Sequence, residues 1–100
     1  MEPDKPDICI SDVVVSTAGH DRDQLFYVVK TEGVYAYLAN GKDRTLEKPK
    51  RKKLKHVSKV LRAETRVAAK LIAGDKVLNS ELRKDLAFFG REITSHNQGG

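Results

Sequence analysis

Apolar and polar positions along the chain change period once. Up to about residue 57 they follow the two-residue repeat of strands, and beyond it the three-to-four-residue repeat of helices. Residues 8–16, I-C-I-S-D-V-V-V-S, are rich in β-branched side chains and predict a first strand, with Asp12 as a candidate break. A polar loop with one glycine follows, T-A-G-H-D-R-D. Residues 24–31, Q-L-F-Y-V-V-K-T, are the clearest strand. Leu25, Tyr27 and Val29 point one way and Phe26 and Val28 the other, so both faces are apolar. One face can fill a small barrel; the other needs a cover, for which the C-terminal half is the candidate. Glu32-Gly33 supplies a turn. Residues 34–39 predict the next strand, with Val34, Ala36 and Leu38 on one face and Tyr35 and Tyr37 on the other. Asn40-Gly41 is the strongest hairpin signal, because a type I′ turn needs positive φ at both central positions. Turn spacing then places a fourth strand over 44–47 and a fifth over 53–57. Short strands at this spacing suggest a small SH3-like or OB-like barrel.

In the second half, Val57, Val60, Leu61, Ala68, Leu71 and Ile72 follow helical spacing. They predict a helix over 58–73, with Ser58 as N-cap and Gly74 as C-cap, packed on the barrel through Leu61, Leu71 or Ile72. Its opposite side carries Lys59, Arg62, Arg66 and Lys70 on one face. A solvated helix face is the plain reading of such a row; continuity with the basic run before it is the functional one. After a turn over 75–80, a second helix begins near Asn79 or Ser80, with Leu82, Leu86 and Phe89 as its buried stripe and Gly90 as its end. Residues 1–7 and 91–100 read as disordered ends.

Composition sharpens this picture. One hundred residues make one small domain, with no room for a separate catalytic one. Lys and Arg number 19 against 14 Asp and Glu, a net charge of +5. Residues 1–47 hold five basic and nine acidic side chains, whereas 48–100 hold fourteen and five. Residues 47–56, E-K-P-K-R-K-K-L-K-H, hold six basic side chains in ten. Like charges this dense repel unless a polyanion neutralises them, and a phosphate backbone is the usual one. A solvated basic loop or a nuclear-import signal are the plainer readings. Pro49 interrupts helix and ladder, and Leu54 and Val57 return the chain to a core. The run therefore reads as an exposed bridge between the two halves and the main contact surface. It lacks the interleaved large apolar residues of a membrane-surface helix, so no membrane partner is expected.

Other chemistry is sparse. Cys9 is the single cysteine, so no intramolecular disulfide forms; lying between Ile8 and Ile10, it is expected to be a small buried apolar residue. The acidic, proline-bearing N-terminus is unlike a signal peptide, and the longest apolar run, 25–29, is too short to span a bilayer. A soluble, cytoplasmic protein is expected. One cysteine and His20, His56 and His96 show no metal-ligand spacing, and neither a P-loop nor a G-x-G-x-x-G is present. His20-Asp21 and Asp23 belong to an ordinary polar loop, and no nucleophile–base arrangement is indicated. The expectation is no enzyme, no metal, no cofactor and no small-molecule substrate. Tyr35 and Tyr37 leave two uses open: stacking on bases, or packing under a neighbouring element.

Residues 13–29, V-V-V-S-T-A-G-H-D-R-D-Q-L-F-Y-V-V, resemble a KOW motif: a strand, a glycine-containing loop and a second strand. Residues 34–57 resemble the short bacterial KOW-domain RNA-binding proteins, which are similar to the L14e-type large-subunit ribosomal proteins. E-K-P-K-R-K-K-L-K-H is the most specific part, and K-L-I-A-G-D-K-V-L-N-S-E-L-R-K-D-L has the family's helix–turn–helix look. The resemblance covers about residues 10–89. It implies an SH3-like (KOW) five-stranded barrel over 8–57 with a C-terminal two-helix extension over 58–90, binding RNA, with ribosomal RNA and neighbouring ribosomal proteins as partners. The family loop reads G-R-D-K/R-G, where this chain has Gly19-His20-Asp21-Arg22-Asp23. His20 replaces a fixed charge with one that depends on pH. Asp23 replaces a glycine where the turn wants conformational freedom. The expected RNA contacts are Lys48, Lys50, Arg51, Lys52, Lys53, Lys55 and His56. Gly19, His20, Arg22 and the Lys59, Arg62, Arg66, Lys70 row are secondary. The rival expectation is a KOW-type protein-interaction module, for example in transcription elongation, using the Tyr35–Tyr37 face.

Overall fold

The structure, a computed structural model, describes residues 7–99, with side chains as far as Ile93. Of residues 1–7, expected to be disordered, 1–6 lie outside the described residues. Five antiparallel strands come first: β1 (Asp12–Ser16), β2 (Leu25–Glu32), β3 (Tyr35–Ala39), β4 (Lys50–Lys53) and β5 (Val57–Arg62). Two helices follow, α1 (Arg66–Ala73) and α2 (Asn79–Gly99). The sheet is open, in the order β4-β3-β2-β1-β5. A single 3-10 turn, Leu54–His56, carries the chain from one edge strand to the other.

The two apolar faces of β2 divide the core. Phe26 and Val28 join Ile8, Val14, Ala36, Leu38 and Val57 in one cluster, with Leu54 packed against it. Tyr27 joins Val13 and Ala39 on the other face, and there the helices supply the cover: Val67 and Ala68 from α1, and Leu82, Leu86 and Phe89 from α2. Each fully buried large apolar side chain contributes about 1.5–3 kcal/mol. The helical layer is therefore part of the fold's stability.

Several elements differ from the sequence pattern. Residues 57–62 are strand rather than the first turns of a helix. β1 is buried, so both of its edges need hydrogen-bond partners. β2 takes one edge and 57–62 takes the other, pairing Val13 with Leu61 and Ser16 with Val57. The helix begins only at Arg66, where the Thr65 hydroxyl accepts from the Ala68 amide as N-cap. Gly74 closes it in the left-handed conformation, φ +78°. Leu61 and Leu71 are partly buried, but Ile72 is 67% exposed. Gly90 does not end α2, which runs on to Gly99.

Asn40-Gly41 is not a two-residue hairpin, and 44–47 is not a strand. The Asn40 side chain accepts from the Lys42 and Arg44 amides and winds the chain into a loop. That loop docks on α2: Asn79 accepts from the Leu46 amide, and Arg83 donates to the Gly41 carbonyl. Gly41 sits at φ +77°, and a Cβ there would collide with the Asn79 carbonyl oxygen.

The first strand starts at Asp12, not at residue 8. Ser11 takes φ +77°, and the buried Asp12 carboxylate accepts from the Cys9 amide, so 9–12 is a turn. This turn leaves Cys9 exposed, not buried. Among the described residues no helix is long and apolar enough to cross a membrane.

Candidate nucleic-acid interface

The basic run is not a loop. Its centre, Lys50–Lys53, is the edge strand β4, so successive side chains face opposite ways. Pairing with β3 sets them: Tyr35 opposite Lys53, Ala36 opposite Lys52, Tyr37 opposite Arg51 and Leu38 opposite Lys50. Arg51 and Lys53 are exposed beside the two tyrosines. The Arg51 guanidinium lies 4.5 Å from the Tyr35 ring centroid, and Lys30 from β2 lies 5.2 Å from that of Tyr37. Lys48, before the strand, and Lys55, in the 3-10 turn, are also exposed.

Lys52 points the other way. It is only 8% exposed, and its Nζ donates to Asp21 Oδ1 at 2.6 Å, the Ala18 carbonyl at 2.6 Å and Ser16 Oγ at 2.8 Å. Three acceptors satisfy the three donors of an ammonium. Lys52 therefore ties the β1–β2 loop to β4 and has no donor left for a phosphate.

Asp21 is the other half of that tie. Burial pushes its carboxyl up, but hydrogen bonds from Lys52 and Ser16, with the charges of Lys52 and Lys50, outweigh it and hold the group below its ordinary value. Its Oδ2 is buried without a hydrogen-bond partner, and Lys50 Nζ stands 3.8 Å away. Around this pair the β1–β2 loop, Arg44 and Lys50 line a cleft of about 360 Å³ that also includes His20, Gln24 and Asp43. The structure thus brings the Gly19–His20–Arg22 loop against the basic strand, with His20 and Arg22 exposed. His56, half-buried, is joined to it through its carbonyl, which accepts from the Thr17 amide at 2.9 Å. Asp23 holds φ +73°, the left-handed region in which glycine is at ease.

The row Lys59, Arg62, Arg66 and Lys70 does not form one helical face. Lys59 and Arg62 stand on β5, and Arg66 and Lys70 on α1. Lys59 is 3.3 Å from the buried Asp12 carboxylate, and Lys70 is 2.9 Å from Glu81. Those two cations are already compensated, while Arg62 and Arg66 are exposed.

Sequence reasoning missed Lys30, which reaches the tyrosines only because a bulge between Val28 and Lys30 turns it to their face. It also missed Asp21 as the organiser of the loop. Reading 50–53 as a strand would have divided the run into Lys50 and Lys52 on one side and Arg51 and Lys53 on the other. Among the described residues no group of three or more His, Cys, Asp or Glu side chains could hold a metal ion. No protein-family model and no curated protein sequence matches the chain.

Proposed function

We propose that the chain is an RNA-binding protein of the translation apparatus, similar to KOW-domain ribosomal proteins, that acts without catalysis and without a cofactor. The observation that carries this reading is the edge strand. Lys48, Arg51, Lys53 and Lys55 are exposed along β4 and its flanking turns, Lys50 reaches the surface in part from the side that faces Asp21, and Lys52 alone of the six is buried. One or two lysines suffice to keep an edge strand from pairing with another chain. Five in eight residues is a density that a phosphate backbone neutralises. Arg22 on the β1–β2 loop and Arg44 at the cleft add two exposed cations beside the strand, among the acids Asp21, Asp23 and Asp43, and His20 is exposed there too. Phosphate contacts of this kind position a protein on RNA without reading its sequence.

The strand order β4-β3-β2-β1-β5, with a 3-10 turn joining the edge strands β4 and β5, supports reading the sheet as a partly open SH3-like barrel of the KOW type. Ribosomal RNA is the proposed partner, with ribosomal proteins as neighbours and the cytoplasm as the place. Co-sedimentation with large ribosomal subunits in rising salt tests this. The chain is expected to travel with the subunit at low salt and to be released steadily as salt rises. Absence from the subunit fraction at low salt contradicts the reading. Retention that ignores salt contradicts it too and favours an apolar protein-docking module.

A further inference from the structure

Tyr35 and Tyr37 stand two residues apart on β3, on the sheet face that the helices cover at Tyr27 and Ala39. Neither tyrosine belongs to that helix-covered cluster; both stay half-exposed. The Tyr37 hydroxyl donates to Glu32 at 2.9 Å, which fixes the orientation of its ring. Around the pair stand Lys30, Arg51 and Lys53, with the acid Glu32 beside them. A cation lies over each ring, Lys30 over Tyr37 and Arg51 over Tyr35.

Resting on the RNA-binding reading, we propose that this face is a stacking platform for two unpaired bases of single-stranded RNA, with Lys30, Arg51 and Lys53 taking the flanking phosphates. Every base has a π-face, so two rings accept successive bases whatever the sequence. Alternate residues of a strand are about 6.7 Å apart. That is about twice the 3.4 Å rise between stacked bases in a duplex strand. Bases held in a helix cannot reach both rings, whereas splayed bases of a single strand can. A base arriving on a ring displaces the cation there, and the freed cation meets the phosphate beside that base. The exchange leaves no aromatic surface and no charge unpartnered.

The chain offers its own probe, having three tyrosines and no tryptophan, with Tyr27 buried. Ligand-dependent tyrosine emission therefore reports on Tyr35 and Tyr37. The full chain is titrated with labelled oligouridylate of about ten nucleotides, and separately with a blunt RNA duplex of equal phosphate count. The single strand is expected to quench the emission and the duplex to leave it unchanged. Tyr35→Ala and Tyr37→Ala are each expected to weaken single-strand binding about tenfold while changing duplex binding less than about twofold. Tyr35→Phe and Tyr37→Phe, which keep the ring, are expected to retain binding and control for folding. Equal strand and duplex binding without quenching, or alanine variants that bind the strand normally, overturns the platform and leaves the phosphate reading standing. Binding of neither RNA overturns both and makes the tyrosine face a protein contact.

Discussion

Lys52 and Asp21 show how far one residue can depart from its neighbours in the sequence. In a run of cations, Lys52 is the one that folds inward, and removing it leaves the buried Asp21 with only the Ser16 hydroxyl and, at 3.8 Å, Lys50. Breaking such a pair typically costs about 3–5 kcal/mol. Lys52→Ala is therefore expected to lower the urea midpoint severely, while Lys53→Ala, one position along and exposed, leaves it nearly unchanged. Acid should act on the same pair. Asp21 is held below the ordinary carboxyl value in the folded chain. Its contribution is thus complete above about pH 4 and is lost as pH falls through the lowered folded value. Urea titrations at falling pH should show this loss in the wild type and a smaller one in Lys52→Met, where Asp21 keeps Ser16 and Lys50 but has lost the closest of the partners that lower it. Asp23 offers a change of opposite sign. At φ +73° it occupies a conformation that costs an L-residue energy, so Asp23→Gly is expected to stabilise by about 0.5–1 kcal/mol, read from the same titrations. The strain at Asp23 was legible in the sequence, since the resembling loop has glycine there. The inward turn of Lys52 was not, because charge density hides the two-residue alternation that decides it.

At the scale of elements, what was legible followed from strong local signals. The two-faced apolar pattern of β2 announced a second layer, and Leu82, Leu86 and Phe89 announced the helix that provides it. Gly74 marked a real helix end. What was misread lay where period alone is ambiguous. Val57, Val60 and Leu61 fit three helical positions as well as they fit a bulged strand, and only the open edge of β1 decides between them. Asn40-Gly41 carried a hairpin signal that the docking of Asn79 and Arg83 overrode. The joint between layers has its own polar lock. Thr65 Oγ1 and the Tyr27 hydroxyl each donate to Asp85 Oδ2 at 2.7 Å, linking β2, the start of α1 and α2. Burial, with Asp85 close by, pushes the Tyr27 phenol well above its ordinary value. Tyr27→Phe should cost about 1 kcal/mol, the loss of one partly buried hydrogen bond. Leu82→Ala should cost about 2–5 kcal/mol by opening a cavity between the layers. Thermal unfolding of the two variants checks the ranking, and a reversed order contradicts the packing described.

At the scale of the whole molecule, charge asymmetry was the most legible feature, and the fold divides its use. The acidic first half supplies Asp12 and Asp21, which hold Lys59 and Lys52 in place. Lys50 reaches Asp21 less closely, and the remaining cations of β4 and its flanks are left to the surface. The measurement that bears most directly on this division is the salt dependence of RNA binding, wild type against the combined variant with Lys48, Arg51, Lys53 and Lys55 replaced by Ala. Lys52 and Lys50 stay, so the tie to Asp21 and the fold should survive, as far-ultraviolet dichroism and urea midpoint will show. With about five phosphates neutralised, log affinity of the wild type should fall against log salt with a slope of about −3.5 to −4.5. The variant should bind far more weakly at low salt, with the slope flattened by about 3. A folded variant that keeps both the affinity and the slope of the wild type contradicts the assignment of the basic edge as the RNA contact.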